Sequence, residues 1–320
     1  MDWSKVKRKT VKTDKPEGVY TNLEELIRIR FKVGDFSLQP RQPVTSVLSG
    51  RYASRLRGRG LNFEELRRYH PGDDTRTMDW KVTARTRSPH VRVYTEEKDR
   101  VVLLIVDQRS NMFFGTKNRL KSVTAAELAA LAAWRAIDSG DRVGAIVFND
   151  TELVEIRPQR SQEAVMSILG AVVHMNHQLS ADSTRESNEK MINRALQKAR
   201  ALAGHDVLVV LVSDYFGVDE ESERLVTEMG AHNDVIAFLV HDPMRMQPVP
   251  HKLALSDGSL QMEIDFKDNR TREKLVTDFR AEQEKITYFL RKLSAPLLMV
   301  SNSGDVSDQV RKLLGVPVRQ

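Results

Sequence analysis

From Arg100 onward, short uninterrupted aliphatic runs alternate with longer amphipathic ones, and that alternation constrains the fold more than any other feature of the chain. VVLLIVD (101–107), DRVGAIVFND (141–150), DVLVVLVSD (206–214) and NDVIAFLVHDP (233–243) carry apolar side chains on both faces. A strand wetted on one side alternates polar and apolar residues; a run without alternation is buried on both sides, as in a parallel sheet covered by two helical layers. Between these runs lie TAAELAALAAWRAIDSG, which ends at Gly140, and helical patterns over 162–177, 188–203, 218–230 and 269–293. ELVEIRP reads as an edge strand, 252–266 as a hairpin, and PLLMVSN with VSDQVRKLLG as a closing strand and helix. The predicted fold class is α/β: a doubly wound, mostly parallel sheet with helices on both faces, over residues 100–320.

The first hundred residues follow another pattern. Residues 1–20 are Lys-rich and aperiodic and read as a loose basic arm. Thr21-Asn22 ahead of LEELIRIRFK forms a capped helix start, with Glu24 and Glu25 in the first turn. FEELRRY reads as one or two helical turns and VRVYTEE as a strand, so residues 21–99 are expected to form a small basic α+β module. These hundred residues carry a net charge of +9 and the remainder −3, out of +6 for the chain. A basic segment on an acidic body suits a protein contact better than nucleic acid here, because Asp is interleaved with Arg throughout it.

Several function classes have no support. The chain contains no cysteine, which removes disulfides, thiolate metal sites and cysteine nucleophiles. No apolar run reaches the ~20 residues of a membrane span, and MDWSKVKRKT lacks a secretory apolar stretch, so the expected compartment is the cytoplasm without membrane insertion. GxSxG, Walker A and HExxH patterns are absent. His174 and His177 share a helix face without a further ligand set. The expectation is a protein that is not an enzyme.

Two features carry functional content. Two core strands end on Asp107 and Asp214, and a third ends on His241-Asp242; a doubly wound sheet gathers such ends at one crevice. These carboxylates either cap the elements that follow or form an oxygen site for Mg²⁺. The other feature is RRYHPGDDTRTMDWKVTAR (67–85), a dense Arg/Asp block around Trp80. Asp73, Asp79 and Trp80 are expected in an internal ion-pair network pinning the block to the α/β body. Tyr69, Arg76 and Arg85 suit that network or a recognition surface equally. The partner surface is therefore assigned to Tyr69, Asp73, Asp74, Arg76, Asp79, Trp80 and Arg85.

The run from Gly58 to Arg85, with its GxGxxFxxLRxYxPGDDxRxxDWxxxAR pattern, followed by VVLLIVDQRSNMFFG and VLVVLVSDYFG, resembles the domain of unknown function 58 family with its von Willebrand factor A-type domain. The likeness runs from about Val44 to the C-terminus. It implies a metal-ion-dependent adhesion site with an Asp-x-Ser-x-Ser motif, a later Thr and a late Asp. Carried onto this chain, the two Asp are Asp107 and Asp214, while Arg109 and Asn111 stand at the Ser positions and neither Thr184 nor Ser187 aligns as the Thr. A guanidinium beside Asp107 can take the cation's place, which points away from tight metal binding. A weaker Mg²⁺ site through Asp107, Asn111 and Asp214 is the alternative. The resemblance also implies a MoxR-type AAA+ ATPase as partner, in assembly or maturation of a protein client that the sequence does not identify.

Overall fold

The computed structural model describes residues 18–34, 61–96, 99–181, 187–256, 261–291 and 295–315. In chain order the elements are α1 (Leu23–Arg28), β1 (Leu61–Arg68), α2 (Trp80–Thr86), β2 (His90–Glu96), β3 (Val101–Asp107), α3 (Lys121–Asp138), β4 (Arg142–Phe148), β5 (Leu153–Gln159) and α4 (Gln162–His177). They continue with α5 (Lys190–Leu202), β6 (Val207–Ser213), α6 (Glu220–Gly230), β7 (Asp234–His241), β8 (Lys252–Ser256), β9 (Gln261–Asp265), α7 (Asn269–Arg291), β10 (Leu297–Ser301) and α8 (Val306–Leu313).

The chain divides into two compact units, Met1–Pro40 with Arg100–Gln320 and Arg41–Asp99. In the larger unit, six strands among the described residues form one sheet in the order β10-β7-β6-β3-β4-β5. Every pairing is parallel except that of β5 with β4, which are antiparallel. This is the doubly wound α/β architecture expected from the aliphatic runs. Helices cover both faces. On one, the sheet residues Val102, Leu104, Val106, Val210 and Val212 pack on α3 and α4. On the other, Leu103, Ile105, Val209 and Leu211 pack on α5, α6 and α7. Adjacent strand residues thus feed opposite cores, so apolar burial, the main stabilising term, runs through the sheet on both sides.

The Ala-rich helix α3 lies almost wholly inside, with Ala125, Ala126, Ala129, Ala130 and Ala133 at zero exposure. Small side chains let it approach the sheet and still accept α4 and α1 on its outer side. Gly144 in β4 is required for a similar reason: a Cβ there would lie 2.7 Å from the Ile156 carbonyl of β5. The register of the β4–β5 pair shifts at that point.

Two sequence expectations are corrected. FEELRRY is not helical: it belongs to β1, whose ladder with β2 runs antiparallel from Leu61↔Glu96 to Arg68↔His90. A helix of one or two turns has little intrinsic stability, and the pairing with β2 satisfies the same backbone groups across the sequence. The capped helix at 21–32 does form, as α1 followed by a 3₁₀ turn, with Asn22 accepting from the Glu25 amide at 2.9 Å. However, it belongs to the larger unit and not to a 21–99 module. Leu26 is fully buried, its carbonyl accepts from Trp134 Nε1 at 3.1 Å, and Arg30 stacks over the Trp134 ring at 5.2 Å. The Thr21 amide donates to Asn176 at 3.0 Å and the Tyr20 hydroxyl to the Leu179 carbonyl at 2.9 Å.

Candidate functional site

The strand order reverses beside β3, whose neighbours are β4 and β6, so the ends of β3 and β6 form the switch point where open α/β sheets hold ligands. β3 delivers Asp107 there, and both Asp107 and Arg109 are 0% exposed. The Arg109 side chain turns back on the strand end: Nε lies 3.0 Å from Asp107 Oδ1 and Nη2 2.7 Å from Oδ2. The Arg109 amide adds a 3.0 Å bond to Oδ1, and the Ser213 hydroxyl from β6 donates to Oδ2 at 2.7 Å. The rest of the guanidinium donates to the carbonyls of Asn188 (3.3 Å) and Phe216 (3.0 Å), and it packs over the Phe148 ring at 5.5 Å. Burial alone would lower the Arg109 pKa, but the charge and hydrogen bonds of Asp107 outweigh it and the pKa is raised. One side chain therefore ties the start of the β3–α3 loop to the lead-in of α5 and to the β6–α6 loop.

A second cation serves the neighbouring carboxylate. Lys121 Nζ lies 2.5 Å from Asp214 Oδ2, with both side chains almost entirely buried. Asp214 Oδ1 accepts from Asn111 Nδ2 at 2.7 Å and from the Phe216 amide at 3.0 Å. Burial raises the Asp214 pKa, yet Lys121, then Asn111 and Arg109, more than offset it and hold the group at about 2. Lys121 is the first residue of α3, where a cation faces the positive end of the helix dipole. That unfavourable placement is offset by Asp214. Asn111 Oδ1 in turn accepts from the Ser187 hydroxyl at 2.6 Å. Asp150, in the β4–β5 turn, accepts from the amides of Ser110 and Asn188 at 2.8 Å each.

The structure thus brings Asp107, Asn111 and Asp214 to one edge, but as acceptors and donors already engaged. A divalent cation takes about six oxygen ligands, several of them water, and still needs at least one carboxylate oxygen free to bind it. Here both oxygens of each carboxylate accept from protein donors, and two fixed positive charges, Arg109 and Lys121, stand where a third would have to enter. The residues present do not fit Mg²⁺. Among the described residues no group of three or more His, Asp or Glu is arranged to hold a metal. Lys121, Asp150 and Ser213 escaped the sequence reading. The one signal for Lys121 was a lysine at the start of a helix, where an acid is favoured.

The third strand end is structural. Asp242 accepts from Thr116 N (2.7 Å), Thr116 Oγ1 (2.6 Å), Asn302 Nδ2 (2.9 Å) and Met244 N (2.9 Å), closing the β3–α3 loop onto the end of β10. His241 is buried against Phe279 and its pKa is lowered by that burial.

In the smaller unit the Arg/Asp block sorts its charges. Asp73 receives both terminal nitrogens of Arg67 at 2.8 and 2.7 Å and the His70 amide at 2.8 Å, interactions that lower its pKa. Asp74 caps the 3₁₀ turn at 75–77 through the Arg76 amide. Asp79 caps α2 through the amides of Lys81 and Val82, and it pairs with Arg92 at 2.8 Å. The amide bond from Val82, then Arg92, lowers its pKa. Of the arginines expected to hold carboxylates (Arg67, Arg68, Arg76 and Arg85), Arg67 does so, and Arg92 of β2 holds the second. Arg76 and Arg85 are exposed, Tyr69 is half-buried with its amide on the Pro89 carbonyl, and Trp80 is 68% exposed. No arginine stacks on Trp80 among the described residues. Gly58 to Gly60, most of the 1–20 arm, Arg55, Arg57 and Thr184 lie outside the described residues.

Together, the sheet order and the two-sided core define a doubly wound α/β domain whose switch-point carboxylates are paired with internal cations. Similar solved structures include the BatB protein of Bacteroides thetaiotaomicron (12% identical, 68% of this chain and 99% of that one, TM-score 0.39). The SpRpn10 VWA domain is another (13%, 70% and 100%, TM-score 0.35). Uncharacterized proteins of Mycobacterium tuberculosis and Mycobacterium bovis are 27% identical over 277 residues, 86% of this chain and 85% of theirs. Residues 65–285 match the family described as "Protein of unknown function DUF58". The chain belongs to the DUF58 family.

Proposed function

We propose that this protein is a non-catalytic adaptor that acts with a MoxR-type AAA+ ATPase in the assembly or maturation of a protein client. The observation that carries this reading is the state of the switch point. Where α/β proteins of other function keep reactive or metal-binding groups, both carboxylates here are held by Arg109 and Lys121. The charges of this edge are taken up internally, which suits a docking role better than turnover by an acid, base or nucleophile. The GDD/DW block, with exposed Arg76, Trp80 and Arg85, supplies the kind of side chains that anchor protein interfaces. No helix among the described residues is long and apolar enough to cross a membrane.

The test is affinity capture of the full-length protein from its native host. The wild type should bring down an AAA+ ATPase in near-stoichiometric amount, and Arg76→Ala should recover clearly less of it. Capture of no AAA+ ATPase by the wild type overturns the adaptor reading.

A further inference from the structure

Within residues 61–96 the negative and positive side chains are put to different uses. Asp73 is taken up by Arg67, and Asp79 by Arg92 and the α2 amides. Asp74 is engaged by the Arg76 amide. By contrast, Arg76, Lys81 and Arg85 are exposed and have no carboxylate partner among the described residues. The interleaving of Asp and Arg along the sequence therefore does not describe the surface. Asp73, Asp74 and Asp79 are engaged in capping and internal pairs, while these cations remain outward.

Helical spacing gathers them. In α2, Trp80, Lys81, Ala84 and Arg85 are exposed while Val82 and Thr83 are half-buried. Positions 80 and 84, and 81 and 85, are i, i+4 neighbours in two adjacent rows on one face. Arg76 stands in the turn just ahead of this helix. The result is an exposed indole flanked by cations, with Ala84 leaving the neighbouring helix turn low. An exposed Trp is a large apolar area left in water, and Trp with Arg is the pairing most enriched where binding energy concentrates.

We propose that this face of α2 is a docking surface for an acidic protein segment that carries one large apolar residue among its carboxylates. The guanidiniums of Arg76 and Arg85 hold carboxylates by their forks, Lys81 adds a point charge, and Trp80 with Ala84 takes the apolar side chain. A protein segment fits better than nucleic acid because a seven-residue helix with one exposed indole and few cations makes a single anchor point, whereas a nucleic-acid groove lines up successive stacking aromatics along a basic track. The inference rests on the reading of the chain as an interaction protein, and it names the chemistry of one surface that serves that role.

The probe is a labelled 14-residue Glu/Asp-rich peptide with a central Phe, titrated with the full-length protein by fluorescence anisotropy. A 14-residue poly-glutamate and a 14-nucleotide single strand serve as comparisons. The Phe peptide should bind more tightly than either. Trp80→Ala, which leaves net charge unchanged, should weaken it by about tenfold or more, as expected for a hot-spot aromatic. Trp80→Phe should recover part of that loss. Because Trp80 is exposed, far-UV circular dichroism and melting of Trp80→Ala should match the wild type. Absence of peptide binding, an unchanged affinity for Trp80→Ala, or tighter binding of the oligonucleotide would each overturn the proposal. Trp80-dependent peptide binding without any captured ATPase would sink the adaptor reading and leave this surface standing. Capture of the ATPase without Trp80-dependent peptide binding would do the reverse.

Discussion

At the scale of single residues, the centre of the molecule is governed by two buried ion pairs whose partners are not interchangeable. Arg109 meets Asp107 with a fork and also spans to two loop carbonyls, which a lysine cannot reproduce. Lys121 meets Asp214 as a point charge from the end of a helix. Removing one member of a buried pair leaves the other desolvated and uncompensated, at a cost of about 3–5 kcal/mol. Lys121→Met should therefore destabilise by about that amount at pH 7 in urea unfolding. The pH dependence follows from the depressed Asp214 pKa. A carboxylate held at about 2, below its ordinary 3.8, contributes stability that is complete above the unfolded value and lost as pH falls through the folded one. The gap between wild type and Lys121→Met should thus be widest at neutral pH and narrow from about pH 4 downward. A gap that stays constant down to pH 2 would show that the pair does not set the titration. That Arg109 could pair with Asp107 was legible in the sequence, but that its side chain turns back onto the strand end was decided by the fold. Lys121, Asp150 and Ser187 were not legible, because nothing in their spacing says that three separate loops converge.

At the scale of elements, the most consequential contact is that of the N-terminal segment with the loop before α3. Gly18 has φ +80°, its carbonyl accepts from the Leu120 amide at 2.9 Å, and a Cβ there would fall 2.1 Å from the Asn118 carbonyl oxygen. Backbone on both sides leaves no flexible neighbour to give way. Gly18→Ala should cost about 2 kcal/mol or more, from the positive φ and the clash together. It should also loosen α1, so that Trp134, which donates to the Leu26 carbonyl, becomes more accessible to an acrylamide quencher. Unchanged melting and unchanged quenching would contradict the role given to this contact. The same scale explains why one element was misread. The residues of β1 include Leu61, Phe63 and Leu66 among charged neighbours, a spacing that also suits a short helix face. Only the ladder with β2 decides for a strand, and β2 begins twenty-two residues after β1 ends.

At the scale of the whole molecule, the switch point is complete without an added ion. With Arg109 and Lys121 in place, the wild type should melt at the same temperature in EDTA and in millimolar Mg²⁺. A reproducible rise with Mg²⁺ would mean that the carboxylates exchange their internal partners for the metal. The two-unit organisation places the Arg/Asp block on a small unit and the six-stranded sheet in a large one. In the large unit the apolar pattern alone was enough to indicate the architecture. β3, β4, β6 and β7 are buried on both faces, and few folds other than a doubly wound sheet satisfy that demand.

The sequence by itself determined the α/β class, the strands and helices from Arg100 onward, and the positions of Asp107, Arg109 and Asp214 at strand ends. These follow from periodicity and from neighbours close in the chain, where local geometry leaves little choice. Tertiary structure alone decided which charges are spent and which are free. It gave Asp214 to Lys121, Asp73 to Arg67 and Asp79 to Arg92, packed α1 onto α3, and left Trp80, Arg76 and Arg85 facing outward. The physical reason is that a charge finds its partner through space, and distance between side chains is fixed only once the loops have closed.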